Sequence, residues 1–194
     1  MSKTTRVLFA VVACAFVVTQ APAQDAAAPS VSLGGGIRAG ASWGDPDDSY
    51  GLNNVRLYAN ASAYGWLGVE VNTETADLDG LIVLDAVAKV KFSDNINVWA
   101  GRFLAPSDRA NLSGPYYGNV GNNGLASASS YYMGGNKQAG RDDGVMLTGG
   151  LPTGGVNLKY SIGIFDGGAA DDQMIAARVV LNLWDDEPGH YNAS

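Results

Sequence analysis

Cysteine is nearly absent from this chain of 194 residues, and the single one, Cys14, lies in an amino-terminal stretch that reads as a cleavable leader. A small exported domain that needed covalent stapling would carry paired cysteines, so no disulfide framework is expected to support this fold. Histidine is equally scarce. His190 stands alone in the acidic tail DDEPGHYN, which excludes a Ser-His-Asp or Cys-His arrangement and leaves no His or Cys cluster for zinc. A membrane-crossing helix needs about 20 apolar residues, and the stretch Val7 to Val18 supplies only twelve. Gly34-Gly35-Gly36 is followed by no helical pattern and is not a phosphate-cradling loop. The paired carboxylates Asp142 and Asp143 stand at a strand entry, where capping or solvation is the ordinary role. These absences argue against an enzyme and imply no cofactor and no metal centre.

Basic residues are also few. Lys3 and Arg6, the apolar run Val7 to Val18 and the small-x-small site Ala21-Pro22-Ala23 form a signal peptide over residues 1–23. Export follows, with a short flexible segment at 24–30 and the folded part at 31–194. Taking Lys3 and Arg6 from the twelve bases leaves ten against nineteen acids, a net charge of −9 that argues against nucleic acid as a partner.

What the chain does have is period-two alternation from Val31 onward, with no amphipathic helix. Eight runs read as strands: Val31 to Trp43, Asn53 to Ser62, Trp66 to Thr75, Ile82 to Phe92, Ile96 to Leu104, Gly144 to Leu151, Val156 to Phe165 and Ile175 to Trp184. In VNLKYSIGI, Leu158, Tyr160, Ile162 and Ile164 share one face while Asn157, Lys159, Ser161 and Gly163 share the other. Likewise Leu84, Ala86, Ala88 and Val90 oppose Asp85, Lys89 and Lys91, and Val55, Leu57 and Ala59 oppose Arg56, Tyr58 and Asn60. These lengths match the 9–11 residues or so that cross a bilayer as tilted β. Alternation alone does not say whether the apolar face meets lipid or a protein core, because a soluble sandwich gives the same stripes.

Connection lengths help to separate the two. Tight turns at 63–65, 93–95 and 152–155 alternate with longer links at 44–52, 76–81, 105–140 and 166–174. Short turns on one side and long loops on the other mark an outer-membrane barrel. The link over 105–140 spans about 36 residues, far beyond an ordinary connection, and reads as a pore constriction. Trp66, Phe92 and Trp184 beside the tight turns, with Trp43, Phe103 and Phe165 at the long-loop ends, are placed as two interfacial girdles would be.

With these features in order, the chain resembles the phosphate-selective porin O and P family. The resemblance is carried by VRLYANASAYGWLGVEV, DAVAKVKF, GRFLAPSDRANLSG, GRDDGVMLTGG, IGIFDGG and AARVVLNLW, and covers most of residues 24–194. It implies an antiparallel transmembrane β-barrel of roughly sixteen strands in the bacterial outer membrane, a homotrimer as the full-length protein, a third long loop folded into the lumen, and basic side chains guiding small anionic solutes. This sequence departs from the pattern in having about eight strands and no terminal aromatic strand. The expectation is therefore the amino-terminal half of such a barrel, all-β and held as an open curved sheet, since an eight-stranded barrel has no interior room for a long loop.

Seven bases fall on strands (Arg38, Arg56, Lys89, Lys91, Arg102, Lys159 and Arg178) against Glu70, Glu74 and Asp85. The long link adds Arg109, Lys137 and Arg141. The candidate pore-lining, anion-guiding set is Arg56, Lys89, Lys91, Arg102, Arg109, Lys137, Arg141, Lys159 and Arg178, because rings of Arg or Lys favour anions and guanidinium matches phosphate in bidentate fashion. Alternating strands place Arg56, Lys89, Lys91, Lys159 and Arg178 on the lumen side and leave Arg38 and Arg102 ambiguous. General diffusion, a sugar or organic-acid channel, and a secreted all-β polysaccharide-binding module are the alternatives. Tyr116, Tyr117, Tyr131 and Tyr132 in the long link either pin it to the wall or stack on a sugar ring. Acids outside, including Asp45, Asp47, Asp77 and Asp171, are solvated or bridge divalent cations to lipopolysaccharide.

Overall fold

The computed structural model describes residues 28–42, 49–76, 80–107, 109, 112, 140–152, 155–167 and 173–187. Eight strands follow one another: β1 (Ser30–Ser42), β2 (Ser49–Ala63), β3 (Leu67–Ala76), β4 (Leu81–Lys91), β5 (Asn97–Leu104), β6 (Arg141–Pro152), β7 (Asn157–Phe165) and β8 (Met174–Asn182). They form one antiparallel sheet in sequence order. The sheet is open: β1 pairs only with β2, and β8 only with β7, among the described residues. No described helix is long and apolar enough to cross a membrane. The signal-peptide region, the tyrosines of the long link, Lys137, Trp43, His190, and the loop acids Asp45, Asp47, Asp77 and Asp171 lie outside the described residues.

Local chemistry sets the hairpins. Between β2 and β3, Tyr64 and Gly65 both adopt left-handed backbone (φ 58° and 68°), the twist that lets a short loop join right-twisted strands. Gly65 takes this conformation freely, whereas the Cβ of Tyr64 costs about 1–2 kcal/mol there. Between β4 and β5, Ser93 Oγ accepts from the amides of Asn95 and Ile96 (3.2 and 3.1 Å), so the side chain supplies the turn's own acceptor. Two strands begin three or more residues earlier than alternation predicts. β2 starts at Ser49 because Ser49 to Leu52 pair with Ala39 to Ser42 beyond a register shift after Arg38. β6 starts at Arg141 because Gly140 turns the chain (φ 83°) straight into pairing with Leu104.

The two faces differ along the whole sheet. Val31, Leu33, Ile37, Leu57, Val69, Val71, Val145, Leu147, Ile162, Ile164, Ile175, Val179 and Leu181 stand exposed on one face. The other face carries Asn54, Arg56, Tyr58, Glu70, Asn72, Glu74, Asp85, Lys89, Lys159 and Arg178, aligned across strands by register. One residue departs from the expected stripe. Leu84, expected on the apolar face with Ala86, is instead buried beside Asp85, because the β3–β4 register shifts between Asn72 and Thr73 and leaves Leu84 as the extra residue of a bulge.

The polar face also holds the core. Val87, Phe103, Ala105, Met146, Phe165 and Ala176 cluster there, with Trp99 and Met174 packed against them. Phe103 and Phe165 meet edge to face at 5.5 Å and are each 1 % exposed. This corrects their expected place in an interfacial girdle: they are core residues. Gly144 and Gly163 explain it, since a Cβ at either would lie 2.5–2.7 Å from the ring of Phe165. The missing side chains let that ring lie flat on the sheet. Trp66 and Trp184, in contrast, are exposed at the tight-turn end.

The long link starts on this core. The amide of Ala105 donates to Gly140 O (3.3 Å), closing the neck of the loop. Ala105, Ser107 and Leu112 are buried, and Arg109 reaches within 4.0 Å of Glu187 beyond β8. The first described residues of the link therefore lie over the polar face.

Candidate functional site

The polar face is the candidate site, and its charges come in pairs. Arg56 on β2 bonds Glu74 directly across on β3. Lys89 on β4 bonds Glu70 on β3 and sits 4.2 Å over the ring of Trp99. Register does this: Arg56 and Glu74 are cross-strand partners, and Glu70 is one pleat from Lys89. Opposite charges so placed stabilise a sheet and cancel in the field they project.

The deepest pair is Asp85 with Arg141. Arg141 Nε donates to Asp85 Oδ1 at 2.9 Å, and their residues are 6 % and 0 % exposed. Asn72 Nδ2 donates to Asp85 Oδ2 (3.0 Å) and to Glu70 Oε1 (2.7 Å), bridging two carboxylates. Asp142 is also fully buried and accepts from the amides of Asp143 and Gly167 (2.8 and 2.9 Å), so its role is capping, as expected. These groups border a cavity of about 560 Å³ whose walls include Arg56, Tyr58, Asn60, Glu70, Asp85 and Arg141.

A second cluster forms where the chain leaves β8 and folds back. Arg178 donates through two nitrogens to both oxygens of Glu187 (2.6 Å each). Lys159 Nζ donates to Glu187 O at 2.8 Å and lies 3.8 Å from Asp186. The hydrogen bond from Arg178, aided by the charges of Arg178, Arg109 and Lys159, holds the Glu187 carboxyl below its ordinary pKa. Lys91 pairs with Asp94 in the exposed turn (2.7 Å), and its hydrogen bond and charge lower the Asp94 pKa.

Of the nine bases named from sequence, Arg56, Lys89, Lys91, Lys159 and Arg178 share the polar face as expected, Arg109 joins them from the long link, and Arg141 reaches them from the start of β6. Lys137 lies outside the described residues. Arg102 is a correction. It pairs in register with Ala86 and Asp143 on the apolar face, bonding Asp143 bidentately at 2.7 and 2.9 Å. Glycine at 101, with φ 129° and Ala86 O where a Cβ would stand, takes the polar-face position next to it. Sequence reasoning missed Asn72, Asp186 and Glu187 as site residues. Glu187 lies in an acidic tail whose fold-back no periodicity announces, and Asn72 was legible only as a polar residue in a β3 stripe. Among the described residues no group of three metal-ligating side chains occurs.

The arrangement sets a polar, largely ion-paired face against a mainly aliphatic one that also carries the Arg102–Asp143 pair. No protein-family profile, characterised protein or solved structure matches the chain.

Proposed function

We propose that this chain forms wall of a water-filled outer-membrane channel for passive diffusion of small solutes. The observation that carries the reading is the separation of faces. Thirteen large aliphatic side chains stand exposed on one side of the eight-stranded sheet, from Val31 on β1 to Leu181 on β8, with six of the strands contributing. A water-soluble monomer rarely exposes so wide an apolar surface, while lipid requires it of a barrel's outer band. This favours the channel over a secreted polysaccharide-binding module, whose second face would be polar. The resemblance to phosphate-selective porins adds a closed barrel of roughly sixteen strands, trimer formation by the full-length protein and contact with lipopolysaccharide as parts of the same proposal.

Anion preference is the finer part. Arg56, Lys89, Arg109, Arg141, Lys159 and Arg178 support it by their place on the polar face, and Glu74, Glu70, Asp85, Asp186 and Glu187 moderate it by pairing with them. The channel is thus weakly selective, with a small anion bias. Two measurements test this. The exported chain should sediment with outer membranes and require detergent; release as a soluble monomer by osmotic shock contradicts the channel. In a planar bilayer under a salt gradient, a reversal potential of anionic sign supports the bias, and one of cationic sign removes it.

A further inference from the structure

We infer that the cavity beside β1 to β4 is a binding subsite for a neutral polyhydroxylated solute, a small saccharide; this rests on the channel reading above. Its walls are dense in hydrogen-bonding groups yet carry no net charge. The lining holds two bases, Arg56 and Arg141, and two acids, Glu70 and Asp85; Arg141 is bonded to Asp85, while Arg56 and Glu70 are paired with Glu74 and Lys89 outside the lining. An incoming oxoanion would approach guanidinium groups already committed to carboxylates and would face Glu70, Glu74 and Asp85 at close range, where like charges repel.

A hydroxyl group has the opposite relation to the same wall. It donates to a carboxylate, whose two oxygens offer about four lone-pair sites, and accepts from a guanidinium or amide N–H. Asn72 fixes the spacing of two such acceptors by bridging Glu70 and Asp85, and Asn60 adds an exposed amide to the rim. Neighbouring hydroxyls on a sugar ring present paired donors and acceptors at comparable spacing. Being neutral, they pay less desolvation on entering than an oxoanion does.

The cavity also has an aromatic wall. Tyr58 lies opposite Gly34 in the β1–β2 register, and a Cβ on Gly34 would stand only 3.5 Å from the Tyr58 ring. The glycine contributes no side chain over that ring, and both residues line the cavity. An amphipathic ring beside planar polar groups suits the apolar C–H face of a sugar and its hydroxyl edge at once. The volume of about 560 Å³ is in the range of small-molecule sites.

The test is equilibrium dialysis of radiolabelled maltose against the full chain in detergent, with inorganic phosphate as competitor, alongside bilayer conductance of the same preparation. The expected result is saturable maltose binding that phosphate does not displace. Tyr58→Ala should weaken it about tenfold, while Tyr58→Phe, which keeps the ring, stays within about threefold. Non-saturating uptake, displacement by phosphate, or unchanged binding in a folded Tyr58→Ala variant would overturn the subsite. Conductance without maltose binding removes the subsite and leaves the channel; maltose binding without conductance keeps the subsite and removes the channel.

Discussion

Breaking the ion pair between Asp85 and Arg141 should cost more than any other single change on the polar face. Both residues are buried, at 0 % and 6 % exposure, and the contact is 2.9 Å. Asp85→Leu removes the buried carboxylate that Arg141 Nε bonds and strips Asn72 of one acceptor. Losing one partner of a buried pair costs about 3–5 kcal/mol, and an unsatisfied amide adds about 1 kcal/mol or more. The double variant Asp85→Leu/Arg141→Met removes both charges at similar volume, and such replacements are often neutral or stabilising. With each single change costing about 3–5 kcal/mol and the double variant near neutral, a double-mutant cycle should return a coupling of about 6 kcal/mol or more, against about 0.5 kcal/mol or less for uncoupled sites. The assay is reversible urea unfolding of the full chain in detergent micelles, followed by tryptophan fluorescence, with all four proteins at equal slope. Additive losses, with the double variant as unstable as the two singles combined, would refute the claim that these two charges stabilise each other.

Three further outcomes follow from the same geometry. Phe165→Ala should destabilise by about 3–5 kcal/mol, the range for emptying a buried aromatic site, read as a shift in urea midpoint; a loss under 1 kcal/mol or so would contradict its burial against Phe103 and Met146. Glu187 is held below its ordinary pKa by Arg178, so its contribution is fully present above the ordinary carboxylate range and lost as pH falls through the depressed value. Protease resistance of the tail should accordingly drop only in acid, and Glu187→Gln should abolish that pH dependence. Val179→Lys places a charge on the exposed apolar face and should cost about 2–4 kcal/mol of stability in lipid near the bilayer midplane, with far less effect in urea-containing solution, where that face is wet in both states.

Much of the sheet was legible because its signal is local. In β7, Leu158, Ile162 and Ile164 against Lys159 and Ser161 declare both the strand and its faces within nine residues. Where alternation failed, the cause lay in another strand. Leu84 changed side because β3 pairs past it, and nothing within LIVLDAV encodes that choice. Phe103 and Phe165 look like girdle aromatics by position; Gly144 and Gly163, brought beneath the Phe165 ring by pairing, make room for it in the core, and Phe103 packs on that ring.

The site was legible in kind and illegible in partnership. Bases on a polar stripe are visible as letters, but Arg141 and Asp85 are 56 residues apart and Arg102 and Asp143 are 41 apart. Which carboxylate each base meets is decided by register. For that reason a surplus of strand bases, read from sequence as an anion guide, became a nearly balanced surface. Arg102 escaped because both faces of INVWAGRF carry apolar residues.

The central claim, lipid on one face and water on the other, is open to a direct measurement because the chain after Cys14 has no cysteine. Single cysteines placed along β7 at positions 158, 159, 161, 162 and 164, in protein reconstituted into liposomes, are exposed to a water-soluble maleimide. Lys159→Cys and Ser161→Cys should label readily, and Leu158→Cys, Ile162→Cys and Ile164→Cys should stay protected until the liposomes are dissolved and the protein is denatured. Equal labelling of Ile162→Cys and Ser161→Cys before denaturation would contradict it.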